Sequence, residues 1–149
     1  ISIGGYYLIT YLKSRSGNKQ EDILPVEPLR PAEEVALEKL DLIREQKIWQ
    51  QGQIKEYHTQ LTDVVREYIA RRFDVSSTEQ TSDETLRAMR PLLNQQKDLF
   101  EQLRKMLSLA DLVKFAKWTA TPDENELSLR NAYTFVKETT PQVEDPTEK

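Results

Sequence analysis

Residues 36–73 read ALEKLDLIREQKIWQQGQIKEYHTQLTDVVREYIARRF, and this stretch decides the fold of the chain. Its second half has apolar side chains every three or four residues, which is the spacing of one face of an α-helix. These side chains are Ile54, Tyr57, Leu61, Val64, Val65, Tyr68 and Phe73. An amphipathic helix must bury its apolar face, and the helix that precedes it is the nearest partner. The stretch therefore predicts a hairpin of two helices, over about 31–50 and 54–73, which meet near Gln51 and Gly52.

Three further helices are predicted from the rest of the chain. The segments TSDE (81–84) and TPDE (121–124) both have the spacing of a capping box, in which a threonine and a glutamate satisfy free N–H groups at a helix start. We expect a short helix that ends at Arg90, a long helix over about 94–117 and a last helix over about 122–139. The predicted fold class is all-α, a compact bundle of about five helices joined by short loops.

The composition fits one globular domain and limits its chemistry. The chain has 149 residues, of which 38% are hydrophobic and 31% charged. Residues 1–122 carry 18 acidic and 18 basic side chains, so the net charge of −4 comes from the C-terminal end, with seven acids against three bases. A neutral body gives no electrostatic reason to expect nucleic acid. The absence of cysteine excludes disulfides, thiolate chemistry and cysteine-ligated zinc.

The two ends of the chain differ in composition from the middle. Residues 1–12, ISIGGYYLITYL, are uncharged, and basic residues follow at once. They fit either a docking helix or strand, or the end of a transmembrane helix that begins upstream, since a span needs about 20 apolar residues. We favour the second interpretation, with basic residues on the cytoplasmic side. Residues 13–30 are then a linker, 31–140 the helical domain and 141–149 a disordered acidic tail.

The first helix of the hairpin carries apolar residues on two sides. Val35, Leu42 and Trp49 recur every seven residues and fall nearly opposite the main apolar face. The helix is therefore either sandwiched inside the domain or exposes one apolar stripe, which would need a partner to explain it. In the second case, Val35, Leu42 and Trp49 are the candidate partner-binding residues.

Two lysines interrupt the most apolar segment of the predicted long helix. This segment, LADLVKFAKW (109–118), is apolar almost all round apart from Lys114 and Lys117, and we expect it to be the best-buried part of that helix. The lysines either reach solvent, pair with Asp111 and cap the helix end, or bind a carboxylate of a partner. They complete the candidate partner-binding set.

No group of residues in the sequence has the pattern of a catalytic or metal site. His58 is the single histidine, and it falls at the edge of an apolar face, where a half-buried, hydrogen-bonded or solvated ring is expected. There is no phosphate-binding loop, no nucleophile elbow and no carboxylate cluster with the spacing of a metal-binding loop. We therefore predict a non-enzymatic chain with no catalytic residue, no metal, no cofactor and no small-molecule substrate.

An alternative function follows from three arginines. Arg66, Arg71 and Arg72 lie late in the second predicted helix. A solvated surface explains them, but they could also attract anionic headgroups, an acidic partner or nucleic acid. The alternative is thus a soluble helical regulator that binds nucleic acid.

Several stretches together resemble one family of membrane proteins. They are residues 36–73, TSDETL (81–86), LADLVKFAK (109–117) and TPDENELSLRNAYTFVKETTP (121–141). They resemble the cytoplasmic helical region of proteins encoded in the Bacteroides aerotolerance (Bat) gene clusters, including the C-terminal part of BatD-like proteins. The resemblance covers about 31–141 and rests on a long pattern instead of one diagnostic motif. The large periplasmic β-domains of full BatD proteins do not occur in these 149 residues, so the resemblance implies either that they lie upstream or that this is a small stand-alone relative.

The resemblance implies a location and a class of partner. It implies a protein of the bacterial inner membrane with this domain on the cytoplasmic side. It also implies interaction with a MoxR-type AAA+ ATPase or with proteins that contain von Willebrand A domains. It carries over no catalytic residue. The expected function is therefore protein–protein interaction by a non-enzymatic, membrane-tethered helical domain.

Overall fold

The computed structural model describes residues 30–141, which fold into five α-helices with no β-strand among them. The helices are α1 (Ala32–Gln46), α2 (Ile54–Phe73), α3 (Ser82–Met89), α4 (Lys97–Phe115) and α5 (Pro122–Thr139). The all-α prediction is confirmed. No helix within 30–141 is long and apolar enough to span a membrane. The predicted transmembrane end (1–12) lies outside the described residues, as do all of the predicted linker except Arg30 and all of the predicted tail except Pro141.

Helix α2 is the centre of the bundle. It packs against α1, α4 and α5, while α1 and α4 each pack against α5 as well. Because three helices surround it, α2 buries more than one narrow stripe. Tyr57, Leu61, Val65, Tyr68 and Ile69 are all essentially inaccessible to solvent. The short α3 covers part of α4. The hairpin partner expected from the sequence is thus only one of three partners of α2.

The turn of the hairpin differs from the prediction at one end. The chain reverses at Gly52 as expected, and its φ of +86° is one that glycine adopts without strain. Helix α1, however, ends at Gln46, about four residues early, because Lys47 takes a left-handed conformation with φ +48°. The Gln51 side chain then donates from Nε2 to the Gln46 carbonyl oxygen at 2.9 Å. A single 3-10 turn, Trp49–Gln51, fills the gap.

Both predicted capping boxes are confirmed. At α3, Thr81 Oγ1 accepts from the Glu84 amide, and the Glu84 carboxylate accepts from the Thr81 amide, both at 3.2 Å. At α5, the same two bonds join Thr121 and Glu124 at 3.1 and 2.9 Å. Each box supplies partners for N–H groups that have none within the helix. These local signals fix where α3 and α5 begin.

Tyrosine hydroxyl groups connect α2 to both ends of α5. Tyr57 donates from its hydroxyl to the Asn125 carbonyl oxygen at 2.7 Å, near the start of α5. The Tyr68 hydroxyl and Thr139 Oγ1 are hydrogen-bonded at 2.7 Å, near its end. Both bonds lie inside the core, where satisfying a polar group avoids a large desolvation cost. They fix the position of α5 along α2.

Candidate functional site

Large hydrophobic side chains are exposed where α4 ends and α5 begins. Six such residues are exposed in the described part of the chain, and four of them lie here. They are Leu112 (45% exposed), Phe115 (80%), Trp118 (51%) and Leu127 (43%), and we call them the α4–α5 patch. The prediction that residues 109–118 form the best-buried segment of the long helix is therefore wrong.

The exposure follows from which side of α4 is covered. The buried side, which packs against α2 and α5, carries Ala110 and Val113. Phe115 is two residues beyond Val113, so the helical repeat turns its side chain to the other side. No element of the described chain covers that other side. This largely apolar segment thus buries Ala110 and Val113 and exposes Leu112 and Phe115.

The backbone that carries the patch is fixed by hydrogen bonds. The amides of Ala116 and Trp118 both donate to the Leu112 carbonyl oxygen, at 3.0 and 3.1 Å. Between them, Lys117 has a φ of +55°, the left-handed conformation that commonly ends a helix. The capping box of α5 begins three residues after Trp118. The backbone that carries Phe115 and Trp118 is therefore held by the end of α4 on one side and by the start of α5 on the other.

A shallow groove between α4 and α5 belongs to this patch. Its volume is about 280 Å³, and Leu112 and Leu127 line it from the two helices. Lys105 and Glu124 contribute one charge of each sign to its walls. Arg104 also lines it and is paired with Glu101, with 2.7 Å between Nη2 and a carboxylate oxygen. The patch therefore combines apolar area with a border of mixed charge.

The structure does not bring the three candidate residues of the first predicted helix together. Leu42 is 50% exposed in a groove between α1 and α2, and Val35 is partly buried in a small hollow between the same helices. Trp49 lies beyond the end of α1, partly buried against the core, in a groove shared with Tyr133 of α5. The seven-residue repeat presumes a continuous helix, and α1 ends at Gln46. The three residues of the proposed single stripe thus lie in three separate places, two grooves and one small hollow.

The two candidate lysines have different surroundings. Lys114 is partly buried and donates from Nζ to Thr62 Oγ1 on α2 at 3.1 Å. Burial lowers the pKa of the Lys114 ammonium group, an effect that the nearby Asp63 carboxylate partly offsets. Lys117 is exposed beside Trp118. Lys114 therefore connects α4 to α2, while Lys117 stays available at the patch.

The three arginines of α2 are engaged within the domain. Arg66 donates to two backbone carbonyl oxygens of the α2–α3 connection at 2.8 and 3.0 Å. Arg72 donates from Nε to the Thr139 carbonyl oxygen at 3.0 Å, and Arg71 donates to the carbonyl oxygen of Arg30. Their guanidinium groups bind the ends of neighbouring segments instead of forming one free basic surface. The observation that motivated nucleic-acid binding thus has a structural explanation.

His58 lies in the core and not at the edge of a face. It is fully buried, with Nε2 at 2.8 Å from the side-chain oxygen of Asn125, and Nδ1 has no partner among the described residues. Burial lowers the pKa of the His58 imidazole, an effect that the hydrogen bond to Asn125 partly opposes. Within 30–141, no three histidine or carboxylate side chains are grouped as metal ligands would be. The buried ring packs edge-on against Tyr57, with 5.2 Å between the two ring centroids.

Sequence reasoning missed Phe115 and Trp118 as surface residues. A signal was present, because Lys114 and Lys117 interrupt the apolar segment and the capping box follows directly after Trp118. That combination is typical of a helix end, where fewer neighbours are available to cover apolar side chains.

Comparison with known proteins gives no relative for this chain. No family model matches it, and neither a curated protein nor a solved structure does. The resemblance to Bat-cluster proteins therefore stays a prediction.

Proposed function

We propose that this chain is a non-enzymatic helical domain that binds another protein through the α4–α5 patch. The observation that carries the proposal is Phe115, a phenylalanine that is 80% exposed beside Leu112 and Trp118. Single exposed hydrophobic residues are ordinary, but contiguous apolar patches mark interaction sites. Phenylalanine and tryptophan are also enriched at protein–protein interfaces relative to the rest of the surface.

The charges around the patch favour a protein partner over nucleic acid. Lys105 and Lys117 are exposed near it, and Glu124 lies on the wall of its groove. A nucleic-acid surface needs positive charge concentrated on one face. A border of both signs around an apolar centre is the usual arrangement of a protein interface. The nucleic-acid alternative has no supporting observation once the α2 arginines are accounted for.

The cellular setting that we propose comes from the sequence. The uncharged residues 1–12 and the resemblance to Bat-cluster proteins support a domain tethered to the bacterial inner membrane on its cytoplasmic side. The partner would then be a MoxR-type AAA+ ATPase or a protein with a von Willebrand A domain.

The single exposed leucine of the α3–α4 connection, Leu92, provides a matched control for any test of the patch, because it is 49% exposed and lies outside it.

Photo-crosslinking in the native host tests this proposal. p-Benzoyl-phenylalanine replaces Phe115 in one full-length variant and Leu92 in another, and crosslinked products are identified by mass spectrometry. We expect a defined protein adduct at position 115 that is lost when Trp118→Ser and Leu127→Ser are added, and none at position 92. Equal crosslinking at both positions, or none at 115, would contradict the proposal. Recovery of an AAA+ or von Willebrand A protein would support the Bat-type setting specifically.

A further inference from the structure

We propose that the groove between α1 and α2 is a second docking site, which binds a basic amphipathic helix of a partner protein. The groove has a volume of about 460 Å³. Its lining includes the apolar Leu42, Ile43 and Val64 and the acidic Glu56, Asp63 and Glu67. None of them belongs to the α4–α5 patch, so this inference does not depend on the function proposed for that patch.

The floor of the groove is apolar. Leu42 is 50% exposed in it, and Ile43 and Val64 lie at its base, where they join the core. An occupant with leucine or isoleucine side chains would remove Leu42 from water, which contributes roughly 25 cal/mol per Å² of apolar area. The apolar floor is therefore the reason to expect leucine or isoleucine side chains in the partner helix.

The rim of the groove is acidic. Glu56, Asp63 and Glu67 place three carboxylates on it, against one ammonium group, that of Lys39. Lys39 is already paired with Glu67, with 2.8 Å between Nζ and Oε2. Among the ion pairs of residues 30–141, none includes Glu56 or Asp63. The excess of negative charge selects a partner that carries lysine or arginine.

Asp63 offers a specific contact for a cationic partner, because its exposed carboxylate belongs to no ion pair within residues 30–141. Although Asp63 is exposed by surface area, neighbouring protein atoms partly desolvate its carboxyl group and raise its pKa. The nearby cations Lys114 and Arg66 oppose this rise, and Glu56 and Glu67 add to it. The two cations are engaged elsewhere, since Lys114 donates to Thr62 and Arg66 to backbone carbonyls. A cation from a partner would stabilise the ionised carboxylate, which lacks a close partner in the described chain.

The shape of the groove fits a helix. Lys39 pairs with Glu67 near one end while Gln46 and Glu56 line the other, so α1 and α2 run antiparallel along it. From position 56 to 67 the groove is about 16 Å long, or three turns of helix. The carboxylates lie at positions 56, 63 and 67, seven and four residues apart on one face of α2. A partner helix with cations at matching intervals and leucines between them would bind the rim and the floor together.

Fluorescence anisotropy with a labelled peptide tests the proposal on the full chain. The peptide is an 18-residue amphipathic helix of leucine and lysine with this spacing, and the comparison peptide has glutamate in place of each lysine. We expect saturable binding of the lysine peptide only. Glu56→Gln with Asp63→Asn should weaken it about fivefold, the effect of two exposed ion pairs of ordinary strength. Glu79→Gln with Glu138→Gln is the matched control, because it removes two exposed carboxylates outside the groove, and it should change binding less than twofold.

Two further measurements separate groove binding from other modes. Leu42→Lys places a cation over the floor and should abolish binding, whereas Phe115→Ser should leave it unchanged. If the control Glu79→Gln with Glu138→Gln weakened peptide binding as much as Glu56→Gln with Asp63→Asn, the peptide would be attracted to an acidic protein in general, and the proposal would be overturned. Loss of binding in Phe115→Ser would overturn it as well. Self-association of the chain that Leu42→Lys disrupts, seen by sedimentation, would show a second copy as the occupant and also overturn it. Circular dichroism melts confirm that each variant is folded.

Discussion

The side-chain oxygen of Asn125 lies 2.8 Å from Nε2 of His58, inside the core and 67 residues away along the chain. This hydrogen bond joins the first turns of α5 to the first turns of α2. The backbone carbonyl of the same asparagine accepts from the hydroxyl of Tyr57. One residue of α5 thus satisfies two neighbouring side chains of the central helix.

Replacing Asn125 should weaken the bundle. Asn125→Ala leaves the buried His58 ring without its partner, which costs about 1–3 kcal/mol of unfolding free energy. Urea denaturation followed by circular dichroism measures the change. Asn94→Ala, at an exposed position in the turn before α4, is the control and should fall within about 0.5 kcal/mol of wild type. An Asn125→Ala variant as stable as that control would show that the buried bond contributes nothing net.

Stability should also depend on the protonation of His58. Burial holds the pKa of the folded-state imidazole below its usual value of 6.5. Between these two values the unfolded chain binds more protons than the folded one, so the free energy of unfolding falls as the pH decreases from about 6.5. Below the folded-state pKa this contribution becomes constant. Urea titrations between pH 7.5 and 5.5 should show the decline in wild type and a smaller one in His58→Gln; identical slopes would contradict the assignment.

Two phenylalanines should respond oppositely to truncation. Phe135 is fully buried beside Tyr68, and Phe135→Ala should cost about 3–5 kcal/mol. Phe115 is 80% exposed, and Phe115→Ala should change stability by no more than about 0.5 kcal/mol. Thermal or urea unfolding compares them directly. A large loss in Phe115→Ala would mean that something covers this side chain in solution.

Replacing Arg66 should lower the stability of the domain. Its guanidinium group donates to two carbonyl oxygens and to Ser82 Oγ, so it holds the α2–α3 connection in place. Arg66→Met removes all of these bonds and should destabilise the domain by about 1–3 kcal/mol. Arg87→Met, on the exposed surface of α3, is the matched control and should be close to neutral. Hydrogen exchange at residues 77–82 should accelerate in the first variant only.

Local signals in the sequence were sufficient for much of the fold. The repeat of apolar residues in α2 requires only the geometry of one helix, and each capping box requires only four consecutive residues. Both are therefore readable without knowledge of the tertiary structure. The end of α1 was not readable in this way, because Lys47 adopts a conformation that lysine seldom takes and residues 32–51 contain no glycine or proline.

Features of the candidate site that depend on residues far apart in the sequence could be identified only from the structure. An apolar run such as residues 109–118 does not reveal how many neighbours surround it, and the same composition serves a core or a surface. The pairing of His58 with Asn125 joins positions from distant helices and has no local signature. Leu42 was identified as a surface candidate from the sequence, but its neighbours Glu56 and Asp63 in the groove come from another helix.

The placement of Trp118 gives this protein a built-in optical reporter. The chain has two tryptophans, and Trp49 is partly buried against the core while Trp118 is half exposed in the patch. Acrylamide should therefore quench the fluorescence of Trp118 more strongly than that of Trp49, because the Trp118 ring is the more accessible. When a partner covers the Trp118 ring, its fluorescence should shift to shorter wavelength. Binding at the α4–α5 patch can therefore be followed without a label.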